Sequence, residues 1–463
     1  MPVPVTFRIL SRLFVPIFGL IASYFLIWPL WRAFFPMEIT PNEGWNAYHQ
    51  DAAIHGVLYP PTDALIVNNY PPLSFYGIGS LGVWLGDSLY VGRALSVVGV
   101  LGLGVVIALA VRRLGGGISA AAIAGFWFIA VMAGSFNRFV GMNDPQLFAQ
   151  LIMGIALIWF MAREARNESV ELPILLMVFA GFIKHNIVVI PVTTLLWMAL
   201  RDWRSALRPI LVGVLGAGSG LLICVLVFGD AFLHNLLAAR QYRFMRILEL
   251  TGRFQWVLPA MIVWAIWAWH ARKTAAARFM ALYICLGLLF CLLQWAGEDV
   301  VDNAQFDLVI AVAIGLGVAF ERIGDISRTR SVVHMRTVVI LVLAVRLLAT
   351  GRVELALILF SPDYRAAFPQ HAAIVDSETE RVKGIKGDVW CMNKVVCRRA
   401  GKPFAGDDFK IGQMLVTGAL TQVQLKELLK TRGVTVVSND ADADANSLRR
   451  DLIDNLRSRF GRP

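Results

Sequence analysis

The chain has 463 residues, 57% of them hydrophobic and 16% charged, against the roughly 25% charged residues of soluble domains. With a mean hydropathy of +0.63, this is the composition of an integral membrane protein. The formal net charge of +11 does not point to nucleic acid: the basic residues sit at the ends of apolar runs, where they set topology and meet lipid headgroups, and no basic stripe with interleaved aromatics occurs.

In chain order, Arg8 and Arg12 precede an apolar run from about Leu13 to Leu30. That run is long enough to span a bilayer at 1.5 Å per residue, and no clean small-x-small cleavage site follows it. The pattern predicts an uncleaved signal anchor. Between Ala33 and Gly92 there is no Lys or Arg. Further spans are expected at 93–111, 118–136, 145–162, 171–184, 186–200, 209–228, 255–270, 279–296, 306–320 and 337–350, about eleven in all. The pair 171–184 and 186–200 could be one long tilted helix; splitting it puts Arg163 and Arg166 on the same side as Arg201, Arg204 and Arg208. By the positive-inside rule the basic-free stretch lies outside and the N-terminus in the cytoplasm. Arg138, Lys184, Arg240, Arg243, Arg246 and Arg253 fall on the wrong side of this otherwise sorted layout and call for an explanation.

From Pro362 the composition turns to soluble type. Ala373–Asp376, Asp388–Cys391 and Val434–Val437 are expected as strands, Thr421–Lys430 and Ser447–Phe460 as helices, with Asp440–Asn446 a solvated acidic loop. Alternating helix and strand suggest a small α/β domain. The division expected is therefore an all-α transmembrane module over 1–361, including the outer loop 36–92, and a soluble extracytoplasmic domain over 362–463. Cys391 and Cys397 pair if this part lies outside the cytoplasm, or remain two free thiols; Cys224, Cys285 and Cys291 read as small core hydrophobes.

Acids gather on the outer face: Glu43 and Asp51, then Asp144, then Glu298, Asp299 and Asp302. Thr40-Pro41-Asn42-Glu43 also fits a capping box, with Pro41 at the first helical position. Asp144 before Pro145 is also a helix-start signal. Lys184 lies inside a long apolar stretch, where a cation is costly and functional by default unless it snorkels to the interface. Arg240, Arg243 and Arg246, at i, i+3 and i+6, would form one basic side of a helix. Such a face touches anionic lipid headgroups or clamps a lipid-linked phosphate, which Arg matches bidentately. Carboxylates with phosphate-binding cations at a membrane surface suit glycosyl transfer from a lipid-phosphate sugar. No nucleotide-binding glycine motif, zinc ligand set or cofactor motif is present.

At these residues the chain resembles the GT-C superfamily of polytopic glycosyltransferases, which includes the protein O-mannosyltransferases and the aminoarabinose and galacturonic-acid transferases. The resemblance covers about residues 10–325. It rests on Glu43-Gly44-Trp45 with Tyr48, Ala52-Ala53, Gly56 and Leu58-Tyr59; on Asn69-Tyr70-Pro71-Pro72-Leu73 and Gly92-Arg93-Ala94-Leu95-Ser96; on Asp144; and on Gly181–Lys184. It implies an inverting enzyme that moves a sugar from a polyprenyl-phosphate donor to an extracytoplasmic lipid, glycan or protein, in a bacterial inner membrane. Glu43 would be the base and Asp144 the supporting acid; Lys184, Arg240, Arg243 and Arg246 would bind donor phosphate or lipid. Asn42, Tyr48, Asn69, Tyr70 and His185 would line the acceptor or sugar site. A looser match joins Asn303 and Asp307. One departure stands out: many members have Asp-Glu at the first site with Asp as base, whereas this chain has Asn42-Glu43. Two other readings are a transporter or flippase of a lipid-linked substrate, and an inactive homologue. The transporter calls for inverted repeats and broken polar helices; no repeat is found.

Overall fold

The computed structural model describes residues 5–238, 240–323 and 332–437; the segments 440–446 and 447–460 lie outside them. The chain opens with α1 (Val5–Ala33), α2 (Pro41–Ile54) and α3 (Leu73–Leu85). The helices α4 (Ser88–Arg113), α5 (Ile118–Ser135), α6 (Gln146–Glu164), α7 (Glu171–Ile183), α8 (Val189–Arg201) and α9 (Trp203–Phe228) follow. Two short helices, α10 (Asp230–Leu236) and α11 (Phe244–Leu250), lead to α12 (Leu258–His270), α13 (Ala275–Trp295), α14 (Phe306–Arg322) and α15 (Val332–Leu348).

Each apolar run expected from the sequence falls on one of these helices. Among the described residues, seven helices are long and apolar enough to cross a membrane, while α7, α8 and α12 are shorter apolar helices of 13 residues each. The bundle has a centre and a rim. The window of α14 is 94% buried and that of α9 only 6%. α14 therefore carries the core, packed by α4, α5, α12 and α13, and α9 turns its leucines and valines outward, as a lipid-facing helix does.

The expected split at residues 184–188 is present. α7 and α8 are separate helices, and ion pairs Arg201–Glu164 and Arg208–Glu171 draw the start of α7 and the end of α8 to one side. The two form a hairpin whose tip carries Lys184, His185 and Asn186.

After α15 come α16 (Val353–Phe360), α17 (Pro362–Lys383), β1 (Val389–Cys391), α18 (Lys394–Arg399), α19 (Asp408–Val416), α20 (Gln422–Thr431) and β2 (Thr435–Val437). β1 and β2 pair in parallel, Trp390 opposite Val436. Cys391 and Cys397 are joined in a disulfide. The strand expected at Ala373–Asp376 is instead part of α17. Its buried residues Tyr364, Phe368, Val375, Thr379 and Val382 recur at intervals of three, four and seven, a helical stripe that outweighs the local β-branched pair.

Residues 362–437 share one apolar core with the membrane helices. Tyr364 stacks on Trp28 and Phe368 packs against Phe35. On the other flank Arg398, largely buried, grips Asp51 of α2 through two bonds of 2.6 and 2.9 Å and Asp87, the N-cap of α4, at 2.8 Å. Tyr48 stacks on Phe404, centroids 4.8 Å apart, and donates to the Lys402 carbonyl.

Candidate active site

α2 begins where the sequence predicts, with Thr40 as N-cap and Pro41 at the first position, but the capping box does not form. The Glu43 carboxylate goes elsewhere. It is fully buried, and its oxygens accept from Arg93 Nε (2.7 Å), Arg93 Nη2 (2.7 Å), Ile39 N (3.0 Å) and Asn143 N (3.0 Å). Arg93 is equally occupied. Beyond Glu43, it donates to the carbonyls of Ala33, Phe35 and Met37 at 3.1, 2.5 and 2.7 Å, so all five N–H groups of the guanidinium are used. One carboxylate and one guanidinium thus staple the end of α1, the 35–39 connection, α2, α4 and the segment before α6. Gly92 lets this close: a Cβ there would stand 1.7 Å from Asn143 Oδ1. The Asn143 side chain in turn exchanges two bonds with Gln50, at 2.9 and 3.0 Å.

Glu43, expected as the base, is not among the residues that line the cavity, and each of its carboxylate oxygens already accepts two hydrogen bonds. Its neighbour Asn42 is exposed and lines a cavity of about 470 Å³ at this end of the bundle. Asn69, Tyr70, Arg138 and Arg240 line the same cavity, and so do Asp299, Lys394, Asp407 and Asp408.

The other expected residues sort themselves by partner. Asp144 Oδ1 accepts from Gln146 N (2.8 Å), starting α6, and both its oxygens lie 3.4–3.5 Å from Lys184 Nζ. Lys184 is fully buried and sits 3.8 Å from the centroid of the Tyr70 ring. Asp144, Lys184 and Tyr70 therefore form a stack behind the cavity wall, with His185 5.7 Å from Tyr70, ring to ring. Tyr48 is covered by Phe404 and is not among the cavity residues. Gln146 exchanges bonds of 2.9 and 2.7 Å with Asn303, and Gln150 donates to Asp307 at 3.3 Å.

The single basic helix face expected for Arg240, Arg243 and Arg246 is not formed. Residues 241–243 are extended, because Arg243 N donates to the Ala296 carbonyl (2.8 Å) and Glu298 N to the Gln241 carbonyl (2.8 Å); the helix starts only at Phe244. Arg243 and Arg246 both meet Glu298, at 3.0 and 3.2 Å. Arg138 and Arg253 both meet Asp302. The cations that broke the charge pattern are thus matched to the acids of the same face. Arg240 differs: it lies over the Phe409 ring (4.9 Å) at the cavity, with no carboxylate in ion-pair range among the described residues.

Three site residues escaped the sequence reading, Lys394, Asp407 and Asp408, and Trp45 entered it only within the Glu43-Gly44-Trp45 pattern. The three lie in the segment read as a separate domain, at least 340 residues beyond α2, and local pattern carries no sign of such a contact. Trp45 Nε1 donates to Asp407 Oδ2 (3.0 Å) and Lys394 binds Asp408. Gly44 makes this approach feasible, since a Cβ there would stand 2.5 Å from Lys394 Cβ and 2.9 Å from Val395 N. Burial sets the local protonation. It pushes the Asp407 carboxyl up to about 6, opposed by Lys394, the Phe409 amide and the Trp45 indole. It pushes Glu38, beside Lys394 and Gly44, up to about 8. It pushes His49 down to about 3, so the neutral ring donates through Nε2 to the Val67 carbonyl, 3.1 Å away.

No protein-family model matches the chain, and no curated protein matches it in sequence. Solved structures do match. ArnT from Cupriavidus metallidurans in the apo state aligns over 97% of this chain and 94% of its own, with a TM-score of 0.57 and 14% identity. The same protein bound to undecaprenyl phosphate aligns over 90% of both chains (TM-score 0.55, 14% identity). The oligosaccharyltransferase of Archaeoglobus fulgidus in the apo form aligns over 92% of this chain and 69% of its own (TM-score 0.53, 13% identity). The fold is a GT-C fold. At 97% coverage the likeness takes in residues 362–437 as well as the bundle, so the segment that closes the cavity belongs to the GT-C alignment and is not an appendage to it.

Proposed function

We propose that the protein is a glycosyltransferase of a bacterial inner membrane that takes a sugar from a polyprenyl-phosphate donor and places it on an acceptor outside the cytoplasm. The N-terminus would be cytoplasmic and residues 362–463 periplasmic, in keeping with the Cys391–Cys397 disulfide. The observation that carries the reading is the cavity: Arg138 and Arg240 line it together with Asp299 and Asp407, on a fold shared with an ArnT bound to undecaprenyl phosphate. The arginines suit a departing lipid phosphate, and the carboxylates suit a hydroxyl that must lose its proton. Lys184 and Asp144 hold Tyr70 from behind, and Glu43 holds the start of α2, so these act by positioning.

One observation favours a second reading, a homologue that binds lipid-linked sugar without transfer: Asn42 faces the cavity where the superfamily pattern has an acid. Reconstitution decides between them. The protein in proteoliposomes, given undecaprenyl-phosphate hexoses and a periplasmic extract, is expected to release undecaprenyl phosphate and label an acceptor. Donor bound but never consumed sinks the transferase reading, and donor moved intact across the bilayer favours a flippase.

A further inference from the structure

Resting on the transferase reading, we propose that Asp407, from the C-terminal segment, is the base that takes the acceptor proton, in place of the acid that Asn42 does not supply. The case begins with position. Trp45 lies three residues beyond Asn42 and so on the same side of α2, and its indole N–H holds Asp407 Oδ2 at 3.0 Å. The carboxylate is thereby brought to the α2 surface that carries Asn42, and both residues line the one cavity. Asp407 is fixed from its own side too: Oδ1 accepts from Phe409 N (3.0 Å) as the N-cap of α19, and its backbone N donates to the Leu65 carbonyl (3.0 Å). Each oxygen keeps a second acceptor position, unlike those of Glu43.

The competing acids other than Asp299 are committed elsewhere; Asp299, at the same cavity, accepts from Gln413 Nε2 at 3.4 Å and has no bond to α2 among the described residues. Asp408 is bound by the buried Lys394 and by the Trp390 indole. Asp144 is taken up by Lys184, and Asp302 by two arginines. The charged groups near Asp407 are Lys394 and Asp408, with Glu38 beside Lys394 and with Arg138, Arg240 and Asp299 on the lining of the same cavity. With its proton affinity raised to about 6, Asp407 lies near the range in which a base is both ionised and able to take a proton at neutral pH. In the step itself, the acceptor oxygen attacks C1 of the sugar as its proton passes to Asp407. The oxygen–C1 bond forms as the bond from C1 to the phosphate oxygen breaks, and the electron pair leaves on the polyprenyl phosphate, opposite Arg240.

The test uses the full chain in nanodiscs, with undecaprenyl-phosphate mannose, glucose and galactose as probes and released undecaprenyl phosphate as the readout. Asp407→Asn keeps the cap, because Asn caps a helix as well as Asp does. It is expected to lower kcat by about 10²–10⁴-fold with donor KM and melting temperature little changed. The wild-type rate is expected to fall as pH drops through about 6, a limb that Asp407→Asn lacks; a cap alone would move the melting temperature and leave the pH profile intact. Turnover of Asp407→Asn within about threefold of wild type overturns the assignment. So does a wild type that is inert while Asn42→Asp turns over, which would leave the transferase architecture standing. Release by neither overturns the transferase reading itself.

Discussion

Two carboxylates one chain apart in origin show opposite fates in the same end of the molecule. Glu43 meets four donors and no space; Asp407 meets two donors and a cavity. The first is organised as a joint between helices, the second as a group with acceptor capacity to spare. Position in a motif would have chosen Glu43. Counting lone pairs chooses Asp407, because a base must keep one free for the proton it receives.

The largest expected effect breaks the closed half of this comparison. Arg93→Ala leaves the Glu43 charge buried and unpaired, a loss of about 3–5 kcal/mol. Glu43→Gln strands the guanidinium in the same way. Both should show as a large drop in melting temperature and folded yield, measured by fluorescence-detected size exclusion. A Glu43→Gln protein that folds like wild type yet transfers no sugar would return Glu43 to the chemistry.

A middling effect sharpens the open half. Asn42 is exposed to the cavity, so Asn42→Asp adds a carboxylate there without a cavity or a clash. In the Asp407→Asn background it should restore transfer by roughly tenfold, or ~1.4 kcal/mol of barrier. No gain in the double variant would mean the two positions do not serve one substrate oxygen.

A separate effect concerns protonation beside Lys394. Glu38, at about 8 in the folded protein against an ordinary 4.5, binds a proton that the unfolded chain has already lost across that window. Its contribution to stability is present below 4.5 and fades as pH rises through 8. Glu38→Gln should therefore gain on wild type in melting temperature from pH 5 to pH 9. A difference that stays flat would remove Glu38 from the buried set.

Much of the bundle was legible because its signals are local: apolar runs of membrane length, arginines at their ends, and Thr40-Pro41 opening α2. The break at Lys184 was legible because a cation interrupts an apolar run. What escaped depends on partners far along the chain. The i, i+3, i+6 spacing of Arg240, Arg243 and Arg246 promised one helix face, but backbone pairing with residues 296–298 holds 241–243 extended. Ala373–Asp376 looked like a strand until Tyr364 and Phe368 anchored the whole of α17 on α1. Lys394 and Asp407 carry no mark of their own; they matter because Gly44 admits one and Trp45 holds the other.

The close fit at Gly44 also orders events in time. Residues 39–46 leave the ribosome before Lys394 and Asp407, which follow only after every helix through Leu348 has been made. Chains fold from the N-terminal side as they emerge, so the Glu43–Arg93 joint can form while the cavity still lacks a wall. The competent site is then assembled late, by docking of α18 and α19 onto a bundle already in the membrane. A nascent protein inserted but not yet finished would carry the whole scaffold for its donor and no group to take the acceptor's proton, which keeps it silent until the last wall is in place.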